Sequence, residues 1–128
     1  MNRFVILYHE LPAGDTRAAH WDFMIQQGSV LTTWAISRRP DQPGETIAER
    51  LPDHRLEYLH YEGPISGGRG QVTQWDTGNY REDMAGPDHV ELSLSGTRLV
   101  GRVVLTSTGD DQRHWRFEFC ASRSAGTD

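Results

Sequence analysis

The chain has 128 residues, one cysteine and a formal net charge of −5, and 36% of its residues are hydrophobic. This length suits a single domain with a core of its own, and a lone cysteine excludes an internal disulfide. The negative charge argues against broad electrostatic binding to nucleic acid but is compatible with a local basic site. The low hydrophobic fraction and the 13 glycines favour a small, loop-rich β protein over a helical bundle.

The first half of the chain predicts strands separated by loops. Residues 3–9, RFVILYH, predict a buried strand, and residues 20–26 and 30–37 predict a hairpin around the turn QGS. Residues 47–50 predict a short strand, with a single helical turn over 46–50 as the alternative. The sequence PDH at 52–54 predicts a turn, after which residues 55–63 could begin another strand.

The second half alternates polar and apolar residues more regularly. Residues 64–70, PISGGRG, predict a glycine-rich loop, and residues 71–81 predict a strand that turns at DTGN. Alternation with a period of two predicts strands in 90–96, 98–108 and 114–122, and Asp110 and Asp111 close the last hairpin. We expect Cys120 in the core and a frayed tail over residues 122–128. This pattern indicates an all-β barrel or sandwich.

The segment HWDFM, residues 20–24, carries the first candidate site. On a strand, His20 and Asp22 face the same side, with Cα atoms about 7 Å apart, whereas Trp21 and Phe23 face the core. His9 ends the preceding strand and could complete a set of two imidazoles and one carboxylate. Such a set suits Mn, Fe, Zn or Co and leaves coordination positions open. The alternative is an exposed pair on the polar face of a strand.

Two further segments carry candidate phosphate-binding groups. In PDHRLEY, residues 52–58, His54 could hold a phosphate oxygen or shuttle a proton, and Tyr58 could donate to the same oxygen. The alternative is a capped turn whose tyrosine packs on the core. Arg38 and Arg39 could frame a phosphate, or they could end a solvated loop. The SGGRG loop precedes a strand rather than a helix, which excludes a P-loop.

The motifs, taken in order, resemble a known family. RFVILYH, DTRAAHWDF, VLTTWAISRRP, PDHRLEYLHYEGPI, VTQWDTGNY and LSGTRLVGRVVL follow one another as in the 3′-phosphoesterase domain of bacterial DNA ligase D, over residues 3–119. The resemblance implies a compact antiparallel β-barrel of about eight strands with little helix over residues 1–121. It also implies trimming of a terminal 3′-ribonucleoside and then a 3′-phosphate from DNA, which leaves a 3′-hydroxyl.

The resemblance also assigns site residues. It implies that His9, His20 and Asp22 hold a divalent metal, which we expect to be Mn²⁺, with Zn²⁺ or Co²⁺ as alternatives. It implies that His54, Tyr58 and Arg38 act at the phosphate.

Two departures from the family pattern remove cations. The family has an arginine after His-x-Asp-Phe, where this chain has Met24, and a second family arginine falls near Thr46. Losing one charge-assisted phosphate contact costs about 1.5–3 kcal/mol of binding. Arg17, Arg39 and Arg69 are candidate replacements. The loop between His9 and His20 is also longer than in the family, and the glycine-rich loop is shorter.

Three functions therefore compete. The first is a metal-dependent 3′-phosphoesterase that trims 3′-ribonucleotide or 3′-phosphate DNA ends in DNA repair. The second is a catalytically impaired metal-binding barrel that binds nucleic acid or a protein partner. The third is a facial-triad oxygenase that uses His20, Asp22 and a distal histidine.

Partners and location follow from the same considerations. We expect the partners to be DNA or RNA/DNA 3′ ends, with a repair ligase or polymerase as a candidate protein partner. The chain carries no polymerase or ligase segment, so we expect a stand-alone, monomeric domain. Because no apolar run suits a signal peptide or a membrane span, we expect a cytoplasmic protein without membrane contact.

Overall fold

The computed structural model describes residues 2–109 and 111–122 and places nine strands in one antiparallel sheet. A 3-10 helix over Leu56–Leu59 is the one helical element of these residues, and they contain no helix long and apolar enough to cross a membrane. The strands are β1 (Arg3–Glu10), β2 (His20–Gln27), β3 (Val30–Ile36), β4 (Glu45–Arg55), β5 (Gly63–Pro64), β6 (Gln71–Ala85), β7 (His89–Gly96), β8 (Val100–Ser107) and β9 (His114–Ala121).

The sheet closes on itself because β1 pairs with both β2 and β6. Eight strands form a ring in the order β1-β2-β3-β4-β9-β8-β7-β6, and the short β5 adds to β6. The predicted all-β antiparallel architecture of about eight strands with little helix is therefore confirmed, and the ring is barrel-like. The predicted domain boundary at residue 121 remains a prediction.

The apolar side chains form two separate clusters. The larger cluster takes residues from all eight ring strands, including Phe4, Phe23, Trp34 and Phe117, and therefore fills the interior of the ring. The smaller cluster contains the intervening residues of β1 to β3, together with Leu59 from the 3-10 helix and Val72 from β6. The segment from the 3-10 helix to the glycine-rich loop thus covers the outer face of β1 and β2. Strands buried on both faces read as continuous apolar runs, as in RFVILY.

β4 is longer than the sequence predicts. Residues 45–55 form one continuous strand, so the predicted strand at 47–50 is confirmed, whereas its helical alternative at 46–50 and the predicted turn at PDH are wrong. The register shifts between Leu31 and Thr33 of β3, so two β4 residues, Pro52 and Asp53, lie opposite Thr32. Such a bulge accepts a proline because the ladder is interrupted there and needs no N–H. The segment after the bulge, where residues 55–63 could have begun another strand, instead begins with the 3-10 helix.

The predicted turn at DTGN is also wrong, since β6 runs through it. The carboxylate of Asp76 instead accepts backbone N–H groups from Thr77 and from the β7–β8 turn residues Thr97, Arg98 and Leu99. A side chain that hydrogen-bonds nearby backbone gives the same sequence signal in a strand as in a turn.

Cys120 is exposed near the end of β9, so its predicted place in the core is wrong. Trp115 and Phe117 occupy the buried phase of this strand, and Cys120 falls on the opposite phase. Of the predicted hairpin closure and frayed tail, Asp110 and residues 123–128 lie outside the described residues.

Candidate metal and phosphate site

The candidate metal ligands meet on the outer face of the sheet. The register of β1 and β2 places His9 directly opposite His20, and Asp22 follows two residues along on the same face. One ligand atom from each residue lies within 4.8 Å of the others. The three side chains line a cavity of about 440 Å³, whose apolar walls include Leu7 and Val72.

The carboxylate of Asp22 lies between the two imidazoles. Its Oδ1 is 3.2 Å from Nε2 of His20, and its Oδ2 is 3.5 Å from Nδ1 of His9. The two imidazole rings are 4.9 Å apart between centroids and meet edge to face. Only 4% of the surface of Asp22 is exposed, so a protein group or a bound cation must satisfy its charge.

Backbone carbonyls fix the orientation of both imidazoles. Nε2 of His9 lies 2.7 Å from the carbonyl oxygen of Arg69, and Nδ1 of His20 lies 3.3 Å from that of Ala18. A carbonyl can only accept, so these nitrogens carry the hydrogens and donate them. The opposite nitrogens, Nδ1 of His9 and Nε2 of His20, therefore present lone pairs toward Asp22 when the rings are neutral.

This arrangement concentrates lone pairs around one point. Oδ1 of Asp22 is buried and has no hydrogen-bond donor among the described residues. Burial alone would raise the pKa of Asp22, but the neighbouring His20 and His9 rings outweigh it and lower the pKa. Burial likewise works to lower the pKa of His20, but the Asp22 carboxylate outweighs it and raises the pKa. Both directions follow from the attraction between the Asp22 carboxylate and the neighbouring imidazole rings.

The residues fit a divalent metal ion. Two imidazole nitrogens and a carboxylate oxygen suit first-row transition metals, and metal-bound histidines ordinarily donate their other N–H to a carbonyl or carboxylate. Both histidines already do so, and the Asp22 oxygen without a donor would gain a partner. Three protein ligands leave positions open for water or substrate. The identity of the metal remains a prediction.

His54 and Tyr58 line the same cavity. Nδ1 of His54 donates to the carbonyl of Pro52 at 2.9 Å, which leaves Nε2 as the nitrogen available to a ligand. The rings of His54 and Tyr58 pack edge to face, with centroids 5.7 Å apart. His54 therefore reaches the site from the β4 bulge at Pro52, and Tyr58 reaches it from the 3-10 helix.

The structure does not bring Arg38 to this cavity. Its guanidinium donates to the carbonyls of Pro43 and Glu45 in its own loop, at 2.7 and 3.1 Å. Arg39 is likewise engaged, in a two-pronged pair with Asp41. The cationic side chains that do line the cavity are Arg17 and Arg69.

Met24 occupies the position where the resemblance expects an arginine. Its side chain is buried against Leu7 and Leu59 in the smaller apolar cluster and lines the cavity. The wall beyond Asp22 is therefore apolar and uncharged.

Sequence reasoning missed the part that Arg69 plays through its backbone. The carbonyl that orients His9 lies 60 residues away along the chain. The available signal was the glycine-rich sequence SGGRG, because glycine permits the positive φ, 86° at Gly70, with which this backbone approaches β1.

Comparisons with known proteins place the chain in a family. Residues 13–107 match the family described as the DNA Ligase D 3′-phosphoesterase domain, and the chain belongs to it. This is the family that the ordered motifs indicated.

Relatives in several bacteria agree with this assignment. The multifunctional non-homologous end joining protein LigD of Mycobacterium bovis is 34% identical over 120 residues, which cover 87% of this chain and 15% of that protein. The protein of the same name in Pseudomonas aeruginosa is 30% identical over 114 residues, covering 79% of this chain and 14% of that protein. The chain thus spans about a seventh of the length of these relatives.

Proposed function

We propose that this protein is a divalent-metal-dependent 3′-phosphoesterase that trims 3′-ribonucleotide or 3′-phosphate DNA ends to 3′-hydroxyls during DNA repair. The observation that carries the proposal is the meeting of His9, His20 and Asp22, with both imidazoles oriented by carbonyls, in one cavity with His54 and Tyr58. Membership in the 3′-phosphoesterase family supports the reaction class. The relatives named for end joining support DNA ends as the substrate and a repair ligase or polymerase as partner.

The roles of the residues follow from their contacts. His9, His20 and Asp22 would hold the metal, which we propose is Mn²⁺, with Zn²⁺ or Co²⁺ as alternatives. When bound, such an ion polarises a phosphoryl oxygen and lowers the pKa of a coordinated water. Asp22 acts as a ligand rather than a base, since it lies between two imidazoles.

His54 and Tyr58 would serve the phosphate side. With Nδ1 committed to Pro52, Nε2 of His54 can accept a proton or, when protonated, donate to a phosphate oxygen. The hydroxyl of Tyr58 can donate to a neighbouring oxygen. Charge on the equatorial oxygens is stabilised by such fixed donors. Arg38 would join this group only if it left its two loop carbonyls.

A 3′-end assay tests the proposal. Purified protein with Mn²⁺ is given a primer-template ending in a 3′-ribonucleotide or a 3′-phosphate, and product length is followed by gel. We expect conversion to a 3′-hydroxyl by the unmodified chain and a loss of at least about 100-fold in Asp22→Ala. Asp83→Ala, which removes an exposed carboxylate outside the cavity, is the matched control. Equal activity in Asp22→Ala would refute the proposal.

A second function is favoured by one observation. The cavity wall at Met24 is apolar, and Arg38 is engaged elsewhere, so the phosphate side holds fewer cations than the resemblance implies. This favours a catalytically impaired barrel that keeps its metal and binds nucleic acid or a protein partner. Mn²⁺ binding by calorimetry, without turnover of any 3′ end, would support it over the first.

A further inference from the structure

We propose that Arg69 supplies the guanidinium that binds the substrate phosphate in this chain, in place of an arginine at position 24. The inference rests on the proposed function and names a specificity-determining residue for it. The backbone carbonyl of Arg69 also orients His9, a candidate metal ligand. One loop would therefore contact both the phosphate and a metal ligand.

The loop that carries Arg69 is firmly built. Ile65 donates its N–H to the carbonyl of Gly70 at 2.8 Å, which closes a tight turn over the intervening residues. Gly70 lies so close to β1 that a Cβ atom would fall 1.9 Å from the carbonyl oxygen of Glu10. The loop is therefore fixed against the end of β1, next to His9.

Arg69 has hydrogen-bonding capacity to spare. Its Nε donates to the carbonyl of Ser66 at 2.7 Å, and one terminal nitrogen approaches the Ser66 hydroxyl at 3.3 Å. Within the described part of the chain, no carboxylate lies at ion-pair distance from Arg69. A guanidinium group carries five N–H donors, so several remain for a ligand. A cation held by neutral acceptors at a cavity wall keeps its full charge for an anionic ligand.

The other arginines are less suited to this task. Arg17 also lines the cavity and is exposed like Arg69, but it pairs with Asp15 through two contacts of 3.3 Å. The Asp15 carboxylate competes with a phosphate for this guanidinium. Arg39 forms a two-pronged pair with Asp41, and the cavity lining does not include it.

The test compares binding of two DNA ends in the presence of Mn²⁺. One oligonucleotide ends in a 3′-phosphonate, in which carbon replaces the ester oxygen so that no hydrolysis occurs, and the other ends in a 3′-hydroxyl. Fluorescence anisotropy gives both dissociation constants, and calorimetry gives the Mn²⁺ affinity. The variants are Arg69→Ala, Arg69→Lys and, as a matched control at the same cavity, Arg17→Ala.

We expect the unmodified chain to prefer the phosphonate end by about tenfold or more, as for one charge-assisted contact. Arg69→Ala should reduce the preference about tenfold, the share of one charge-assisted contact, and leave Mn²⁺ affinity unchanged, since the backbone carbonyl remains. Arg69→Lys should keep part of the preference, and Arg17→Ala nearly all of it.

Two other outcomes overturn the inference in different ways. A preference that survives undiminished in Arg69→Ala would leave the proposed function standing and remove Arg69 from it. A parallel loss of Mn²⁺ affinity would do the same, because it indicates a positioning role alone. No preference in the unmodified chain, together with no turnover of 3′-phosphate ends, would remove the proposed function and the role of Arg69 together.

Discussion

Asp22 and Asp76 are both buried carboxylates, with 4% and 3% of their surface exposed, yet the protein treats them in opposite ways. Asp76 accepts N–H groups from four backbone positions, so each of its oxygens is satisfied by donors fixed in the fold. Asp22 has only two imidazoles beside it, and its Oδ1 lacks a hydrogen-bond donor among the described residues.

The difference separates a structural carboxylate from a binding one. Backbone donors cannot be released without unfolding, so the charge of Asp76 is committed to the β6–β7–β8 region. Imidazole lone pairs and a carboxylate together repel one another unless a cation joins them, so Asp22 is prepared for a ligand. A substitution of Asp76 should therefore lower the free energy of unfolding, and a substitution of Asp22 should lower the affinity for Mn²⁺.

The largest expected effect is that of Asp76→Ala on stability. Removing the carboxylate takes the side-chain acceptor from the N–H groups of Thr77, Arg98 and buried Leu99, which should cost about 4 kcal/mol of unfolding free energy. Urea denaturation followed by tryptophan fluorescence measures this loss. Mn²⁺ affinity of the folded fraction should stay unchanged, and a selective loss of Mn²⁺ affinity would contradict the division of roles.

Asp22→Ala should show the converse pattern. Mn²⁺ affinity by calorimetry should fall at least about 100-fold, because one of three protein ligands is lost. Mn²⁺ at 100 times its dissociation constant should stabilise the unmodified chain by about 2.7 kcal/mol and the variant hardly at all. In EDTA the two proteins should differ by only about 1 kcal/mol. A loss in EDTA as large as that of Asp76→Ala would make Asp22 structural too.

Gly70→Ala should affect the site through the loop. Its Cβ would collide with the carbonyl of Glu10, so the loop must shift and the Arg69 carbonyl must leave His9. We expect a drop of about tenfold in Mn²⁺ affinity. Gly68→Ala is the matched control, because Gly68 has a similar φ of 68° but open space around it. Equal effects from both would point to backbone strain rather than to the lost contact.

The smallest expected effect is on the pH dependence of stability in EDTA. The pKa of Asp22 is lowered by folding, so its contribution is present above its unfolded pKa, about 3.9, and is lost as pH falls through the folded pKa. The pKa of His20 is raised, so its contribution is present below about 6.5 and is lost as pH rises through the folded pKa. Both contributions are present between about pH 4 and 6.5.

The comparison with Asp22→Asn isolates this effect. The difference in unfolding free energy between the unmodified chain and the variant should be greatest within that window, and at most about 1 kcal/mol because solvent screens the partly exposed His20. It should shrink on either side. A difference that stays constant from pH 4 to 8 would show that the imidazole and the carboxylate do not interact in the folded protein.

The sequence predicted the strands, and the faces on which their side chains lie, wherever these depend on local alternation of polar and apolar residues. The apolar run in β1 and the alternation in HWDFM predicted two strands and placed His20 and Asp22 on one face, as the structure has them. The same alternation places Cys120 on the outer side of β9, whereas the usual preference of cysteine for the core predicts the opposite.

The remaining features depend on distant parts of the chain. β6 can continue through Asp76 because backbone N–H groups of the β7–β8 turn donate to its carboxylate. In a local turn at DTGN, neighbouring N–H groups would play that part. The orientation of His9 depends on Arg69, which the ring closure brings beside it. No local window contains that information. The catalytic roles of His54, Tyr58 and Arg38 and the metal itself remain predictions.

The pairing of β1 with β6 also sets the order in which this protein can form during synthesis. His9 pairs with Val72, so β1 has only one neighbouring strand until β6 has been made. Until then the apolar run RFVILY of the β1–β2 hairpin remains uncovered. Strand pairs between distant parts of a chain form slowly, and an apolar strand exposed in the meantime tends to aggregate. All three candidate metal ligands emerge before the loop that orients His9, so a metal ion present at that stage would meet a flexible chelating hairpin first and a rigid site only later.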